Sequence, residues 1–589
     1  MIGVVATLNA YEGDRSLGFT FVGAKGPGED LFISYHDLRL ATQRRAAHYA
    51  AAGLRRGDRI ALIVPEGEHF IPAFLGAMWS GLIPVPLYPP VSLGKLDAFM
   101  DALVGILNVA GPRALVTTER VGKVLWSAVG RIPSIEKVIT AEALAGEPAG
   151  PLPPAADLRD DEVAFLQFTS GSTALPKGVI VTHGSLAANC LGIVRDGLKI
   201  RPERNDIAIS WLPLYHDMGL IGFVLSPLIG HISAVFIPTL SFIKNATLWM
   251  ETLHRHRGTI TFAPNFAYAL VTKRAKPDQI ASWDLSRMRV FGCGSEPINP
   301  ETLRVFVKAM APAGLKPEAL LPCYGMAEAT LAMSFVGVDE PMNTDRIDAE
   351  RYHAEAKATP VSNGAAVLEV VNCGRPFPEH EISVQDEEGR ILPERQVGEL
   401  CFRGPSVTAG YWENPEATRA AFREGGWLRT GDLGYLVGGE VHVSGRIKDI
   451  LIVNGRNYYP QQIEWLVDET PGVRRGSSVV FTRPGAASEE IVVAVESRTD
   501  DPAALRKQIV SRVGEEFQLA VSDIAVVAPG TLPKTSSGKL QRRKTREQYL
   551  RGSIGKSGRG GSNRMAVAKH LALSLVGRAR HEVRKLFGG

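Results

Sequence analysis

Five short stretches of the chain carry residue types suited to work on phosphates. The first, "FTSGSTALPKG" (Phe168–Gly178), sets the hydroxyls of Thr169, Ser170, Ser172 and Thr173 around Gly171 and ends with Lys177. Hydroxyls, a glycine that lets backbone amides approach an anion and one ammonium are what a phosphate-holding loop needs. The Walker pattern G-x-x-x-x-G-K-[ST] does not fit, because Lys177 precedes Gly178. The second stretch, "LLPCYGMAEAT", places Glu328 just beyond Tyr324 and Gly325. A lone carboxylate there could hold Mg²⁺ on a nucleotide. The third, "WLRTGDLGYL", sets Asp432 between glycines in what reads as a tight turn, where it could accept hydrogen bonds from a ribose diol. The fourth is "SGRIKDILIVNGRNYYPQQIE", with Arg446 and Lys448. The fifth, "LPKTSSGKLQRRKTR", puts Lys539 on a loop read as accessible, from which it could reach an anionic transition state. Each also fits a plainer role: a Gly/Ser-rich turn, an acid at a helix start, a hairpin aspartate, a basic surface loop.

The elements that must position these residues alternate. "RIALIVPEG", "PRALVTT", "SAVFIP", "ITFAPN" and "RVFGCGSEP" read as short buried strands. "YHDLRLATQRRAAHYAAAGL" and "PETLRVFVKAMA" read as helices between them, so the body is expected to be α/β. After Gly374 the texture changes to short strands and turns, a small β subdomain. Another change near Lys448 opens a compact α+β segment, in which Asp501-Pro502 starts a helix. The expected division is therefore 1–447, a large domain of two α/β sheets and a β subdomain; 448–550, a small α+β domain; 551–564, a Gly/Ser/Arg linker; and 565–589, a basic amphipathic tail with Leu571, Leu575, Ala579, Val583 and Leu586 on one stripe.

Bulk properties narrow the function. The net charge of +4 over 589 residues hides a tail, from Arg551 onward, with nine Lys/Arg and one acid, which leaves 57 basic and 61 acidic residues in the body. That body is no general nucleic-acid binder. Five scattered cysteines without a C-x-x-C pair suggest neither zinc nor redox work, and a reducing cytosol is expected. The start of the chain lacks the pattern of a secretory leader. Two long uncharged runs, 70–94 and 218–242, carry too many prolines for spanning helices and read as buried helix then strand.

In their fixed order from about Phe32 to Leu550, the five stretches resemble the adenylate-forming superfamily of acyl-CoA synthetases, nonribosomal adenylation domains and luciferases. Four stretches, "VPLYPP", "PLYHDMGLIG", "YGMAEATL" and "NGRNYYPQQIE", resemble its fatty acyl-AMP ligases. Ala327 stands where CoA ligases and amino-acid adenylation domains more often carry threonine. The segment Val336–Val371 is long, charged and weakly periodic, and reads as a loop. It falls where those ligases carry an insertion associated with lack of CoA-thioester formation.

The resemblance implies ATP-dependent conversion of a fatty acid to acyl-AMP and pyrophosphate, then transfer to the phosphopantetheine thiol of an acyl carrier protein or a synthase carrier domain. Thr169–Lys177 would cradle the β,γ-phosphates and Glu328 would help hold Mg²⁺. Gly294, Ser295, Glu296 and Pro297 would line the adenine side, with Tyr324 and the adjoining Gly325, Met326 and Ala327. Asp432 would hold the ribose, Arg446 would contact ribose or phosphate, and Lys539 would bridge the carboxylate and α-phosphate. His216 and Asp217 would sit at the acyl entrance, and Lys448 at a hinge about which the small domain turns. No Asp-Ser-Leu carrier motif follows the ligase body, so the carrier is expected in trans. A fatty acyl-CoA ligase is the alternative, and a non-catalytic nucleotide or acyl-AMP binder a remoter one. The tail stays open between a helix that meets an acidic carrier or an anionic membrane surface and a solvated or self-packing extension.

Overall fold

Apolar four-residue runs closed by glycine or proline are too short for helices and pack side by side as parallel strands buried on both faces. In the computed structural model, which describes residues 3–26, 28–90, 96–169, 176–362, 365–453, 456–485, 489–535, 538–555 and 563–587, these runs form two sheets. The larger has nine strands in the order Arg375–Pro376, Ala332–Phe335, Leu320–Gly325, Val290–Cys293, Ile260–Ala263, Ile207–Ser210, Ser233–Phe236, Gly18–Gly26 and Glu29–Ser34, parallel from Leu320–Gly325 to Gly18–Gly26. The smaller is parallel throughout, with Ile83–Pro86, Arg59–Ile63, Ala114–Thr117 and Lys137–Thr140. Their helices start on side-chain caps. Ser34 accepts from the Asp37 amide at the head of Tyr35–Ala51, and Thr182 and Ser185 form a reciprocal capping box at the head of His183–Leu191. The proline-bearing runs resolve into helix and strand, with Gly67–Trp79 followed by Ile83–Pro86. Among the described residues no helix is long and apolar enough to cross a membrane.

A five-stranded antiparallel sheet follows, built on Glu381–Gln385, Gly398–Arg403, Trp427–Val437 and Glu440–Arg446. Beyond Lys448 a separate apolar core gathers Ile463, Val480, Val493, Ile509 and Ile524. It lies between the three-stranded sheet Val473–Pro484, Glu489–Ser497 and Val521–Val527 and the helices Pro460–Asp468 and Pro502–Phe517. The Asp501 carboxylate accepts from the amides of Ala503 and Ala504, which fixes the start of the second helix.

Two sequence expectations are corrected. The 336–371 segment is not an irregular loop. Thr344–Asp348 and Val367–Val371 pair as an antiparallel hairpin, and the helix Ala349–Glu355 follows its first strand, capped by Asp348. Tyr352 is buried, hydrogen-bonds Ser444 and packs against Tyr435 and Tyr459, so the segment grips both the antiparallel sheet and the entry to the C-terminal unit. Asp432 does not sit in a turn. It lies within Trp427–Val437, where four steps of that strand oppose two on Gly398–Arg403. The bulge, with Gly431 at φ +70°, re-aims the strand. The tail, which the sequence left open, forms the helix Asn563–Phe587. His570, Ser574, Gly577 and His581 face the helix Glu119–Val129, while Leu571 and Leu575 stay exposed.

Candidate active site

One cavity of about 2550 Å³ opens between the large domain and the C-terminal unit, and residues from all five sequence stretches line it. Val163–Thr169 and Lys177–Thr182 pair antiparallel with Thr169 opposite Lys177, so a hydroxyl and an ammonium share the base of the loop that joins them. Ser170, Gly171, Ser172 and Thr173 lie outside the described residues. The Lys177 ammonium rests 4.7 Å over the ring of Tyr411. The Tyr411 hydroxyl donates to Glu328 Oε1 at 2.9 Å. Tyr411 thereby fixes Lys177 and the Glu328 carboxylate relative to each other. Its loop is knit to the Val163–Thr182 hairpin by Trp412 N–H to Gly178 O and Ile180 N–H to Gly410 O.

Glu328 lies in the single turn Ala327–Ala329, which ends at Thr330 with φ +69°. A β-branched residue in that region costs of order 1–3 kcal/mol. The Thr330 hydroxyl, donating to Ser406 O at 2.7 Å, holds it there. Ser295 is strained likewise, at φ +70°, and its carbonyl accepts from Lys539 Nζ at 2.6 Å. Gly294 contributes by its lack of a side chain, because a Cβ there would stand 2.6 Å from Cys323 Sγ. Asn265 secures the following residues, donating to Pro297 O at 2.8 Å and accepting from the Asn299 amide at 3.0 Å. Met326, Ala327 and Gly325 line the same wall.

Asp432 is buried. Its Oδ2 accepts from the Tyr324 hydroxyl at 2.8 Å and its Oδ1 from Arg446 Nε at 3.0 Å. Each oxygen keeps lone-pair capacity for a further donor such as a ribose hydroxyl. Burial pushes the carboxyl up, while Arg446 and Tyr324 oppose the shift; the aspartate charge in turn holds the guanidinium above its usual value.

Lys539 is half-buried in the cavity rather than on an accessible loop. Burial depresses its pKa, and the neighbouring charges of Glu296 and Asp217 counter that in part. Burial likewise raises Glu296, against the pull of Lys539. Burial opposes ionisation of Asp217, yet His216 at 2.6 Å and Lys539 outweigh it and hold the carboxyl below its ordinary range. His216 caps the short helix Asp217–Leu220. Behind it, Tyr215 meets Tyr88, and Tyr88 meets Phe99, an aromatic wall on the cavity. Apolar side chains deeper in the cavity include Phe223, Phe262, Leu331 and Phe335.

Lys448 sits in the single turn Ile447–Asp449 between the last strand of the antiparallel sheet and the C-terminal unit. Arg542, three residues beyond Lys539, donates to Asp449 at 2.7 Å, to both Glu464 oxygens at 2.8 and 2.9 Å, and to Val480 O at 3.0 Å. It is not part of a basic surface loop; its side chain is 16% exposed. Sequence reasoning missed Tyr411, Asn265 and Arg542. Only the "GYW" at Gly410–Trp412 offered a local signal, a glycine at φ +126° before two aromatics.

Among the described residues no cluster of three or more His, Cys, Asp or Glu could hold a metal. A lone hard carboxylate facing the cavity fits a cation that shares its shell with phosphates.

Fold and site together define an adenylate-forming enzyme. The profile of the family "AMP-binding enzyme" matches residues 15–412, and that of "Disco-interacting protein 2-like, AMP domain" matches 448–558. The chain belongs to the AMP-binding enzyme family. It is 37% identical over 528 residues to a provisionally named acyl-CoA synthetase of Caulobacter vibrioides, covering 89% of this chain and 91% of that one. It is 35% identical over 522 residues to the long-chain-fatty-acid–AMP ligase FadD26 of Mycobacterium bovis, covering 84% and 87%. A structure from work on fatty acyl-adenylate ligases of E. coli and L. pneumophila superposes with TM-score 0.87 at 33% identity, over 93% of this chain and 98% of that one.

Proposed function

We propose that the chain is a fatty acyl-AMP ligase that hands its acyl group to a carrier protein. The observation that supports this most is convergence. Lys177, Glu328, Asp432, Arg446 and Lys539, from five separate stretches, line one cavity that continues between apolar side chains. A fatty carboxylate oxygen attacks the α-phosphorus of ATP, the α–β P–O bond breaks, and pyrophosphate leaves. Two anions must meet, so positioning and charge neutralisation carry the barrier reduction. Lys177 and Thr169 hold the outer phosphates, Asp432 and Tyr324 the ribose, and the strained Ser295 turn the adenine. Lys539 leaves the Ser295 carbonyl to neutralise the carboxylate and α-phosphate oxygens. Mg²⁺ bound at Glu328 would supply further neutralisation of phosphate charge.

In the second half-reaction a phosphopantetheine thiolate attacks the acyl carbon and AMP leaves. Lys448 is the hinge by which the C-terminal unit withdraws Lys539 first. The 344–371 hairpin favours a carrier over CoA. Through Tyr352 it ties Ser444, two residues before Arg446, to Tyr459 at the start of the C-terminal unit, and so limits rotation about that hinge. Five unpaired cysteines suit a reducing cytoplasm. Fatty-acid-dependent ATP–pyrophosphate exchange tests the reading. Lys539→Ala should keep ATP binding and lose about 10²–10³-fold in exchange. Near wild-type exchange by that variant would sink the assignment of Lys539.

A further inference from the structure

A helix in water ordinarily buries its apolar face. The helix Asn563–Phe587 does the reverse. It meets the helix Glu119–Val129 through His570, Ser574, Gly577 and His581, all buried. The contact is close and specific. A Cβ on Gly577 would stand 2.0 Å from Trp126 O, and a Cβ on Gly130 2.9 Å from Gly577 Cα. Ser574 Oγ donates to Val124 O at 2.8 Å and accepts from the Ser127 amide at 3.0 Å. Lys569 and His570 hold Asp97, in the first turn of Leu96–Ala110, at 2.7 and 3.0 Å. The outward surface is left to leucines: Leu571 is 40% exposed, Leu573 44%, Leu575 74% and Val576 49%.

We propose that this outward face docks the enzyme on an anionic phospholipid surface. Charge complementarity selects that occupant. The 551–589 segment carries nine Lys/Arg against one acid, on a body with an excess of acidic residues. Exposed leucines with the exposed Arg578 at their edge form the pattern of a helix lying in a membrane interface. The apolar residues spread over successive positions, 571, 572, 573, 575, 576 and 579, an arc wider than the single stripe a protein groove accepts. Placement agrees. The Leu96–Ala110 helix that Lys569 and His570 grip also presents Phe99 and Ile106 to the cavity. A fatty acid partitions into the same lipid surface. That purpose rests on the ligase reading, whereas the docking itself does not.

The full chain is sedimented with vesicles of phosphatidylcholine containing phosphatidylglycerol, and with phosphatidylcholine alone. Binding is expected with the anionic vesicles, at least about tenfold weaker with neutral ones, and strongly reduced by salt. Leu575→Glu with Val576→Glu, both exposed and remote from the cavity, should abolish it with an unchanged melting temperature and unchanged activity on a soluble short-chain acid. No sedimentation by the wild type, equal binding to both vesicles or full binding by the double variant would overturn the proposal. So would a dimer that the double variant splits and that does not bind vesicles. Because sedimentation needs no catalysis, an inactive enzyme that still binds anionic vesicles would refute the ligase reading alone.

Discussion

Burial depresses the Lys539 pKa, and in the proposed reaction the ammonium is the form that neutralises the two anions. As pH rises, the docked lysine therefore loses its charge earlier than a free lysine near 10.4. The alkaline limb of the exchange rate should lie below that value. Glu296→Gln, which removes a charge that favours the ammonium, should move the limb lower still; a limb unmoved in the variant would contradict the electrostatic account. Asp432→Asn replaces a carboxylate that accepts from both Tyr324 and Arg446. Hydrogen bonds to charged groups contribute about 1.5–3 kcal/mol, so AMP binding by calorimetry should weaken tenfold or more. Lys539, Asp432 and Glu328 were legible as candidates through the fixed order of the five stretches, because each stretch alone also fits a plainer role. Tyr411 and Arg542 were not, because their meaning lies in which distant groups they meet.

Arg542 binds the hinge-flanking Asp449 and the helix-borne Glu464 at once. Arg542→Met would strand two partly or fully buried carboxylates. A loss of about 3–5 kcal/mol is expected for the C-terminal unit, read by denaturant unfolding followed at Trp465. An unchanged midpoint would show the triad to be dispensable. In the hairpin, Tyr352→Phe removes the hydroxyl that meets Ser444 and, across the hinge, Tyr459; it should cost about 1 kcal/mol per bond lost and raise acyl transfer to CoA by freeing the hinge. Elements were legible where local signals and burial agree, as at Asp501-Pro502. They failed where tertiary contact decides. The 344–371 hairpin has weak periodicity because its strands pair mainly with each other, and the sequence left open which face of the C-terminal helix packs. A His/Ser/Gly stripe wins there because Gly130 and Gly577 permit backbone approach that no leucine could.

At the scale of the whole molecule, a mainly parallel nine-stranded sheet, a parallel four-stranded sheet, an antiparallel sheet and a small α+β unit bring separate stretches of sequence around one cavity. The order of the stretches was legible, but the tie between the hairpin and the hinge was not, because it joins residues about 90 positions apart through Tyr352 and Ser444. Under the proposed function, that tie is what favours a carrier protein over CoA. The most direct test supplies the full chain with ATP, Mg²⁺ and a labelled fatty acid, then adds either CoA or a holo acyl carrier protein, and resolves the labelled products. The account predicts an acyl-adenylate that persists with CoA and converts to a thioester on the carrier. Absence of the adenylate, or acyl-CoA formed as fast as the carrier thioester, would contradict it.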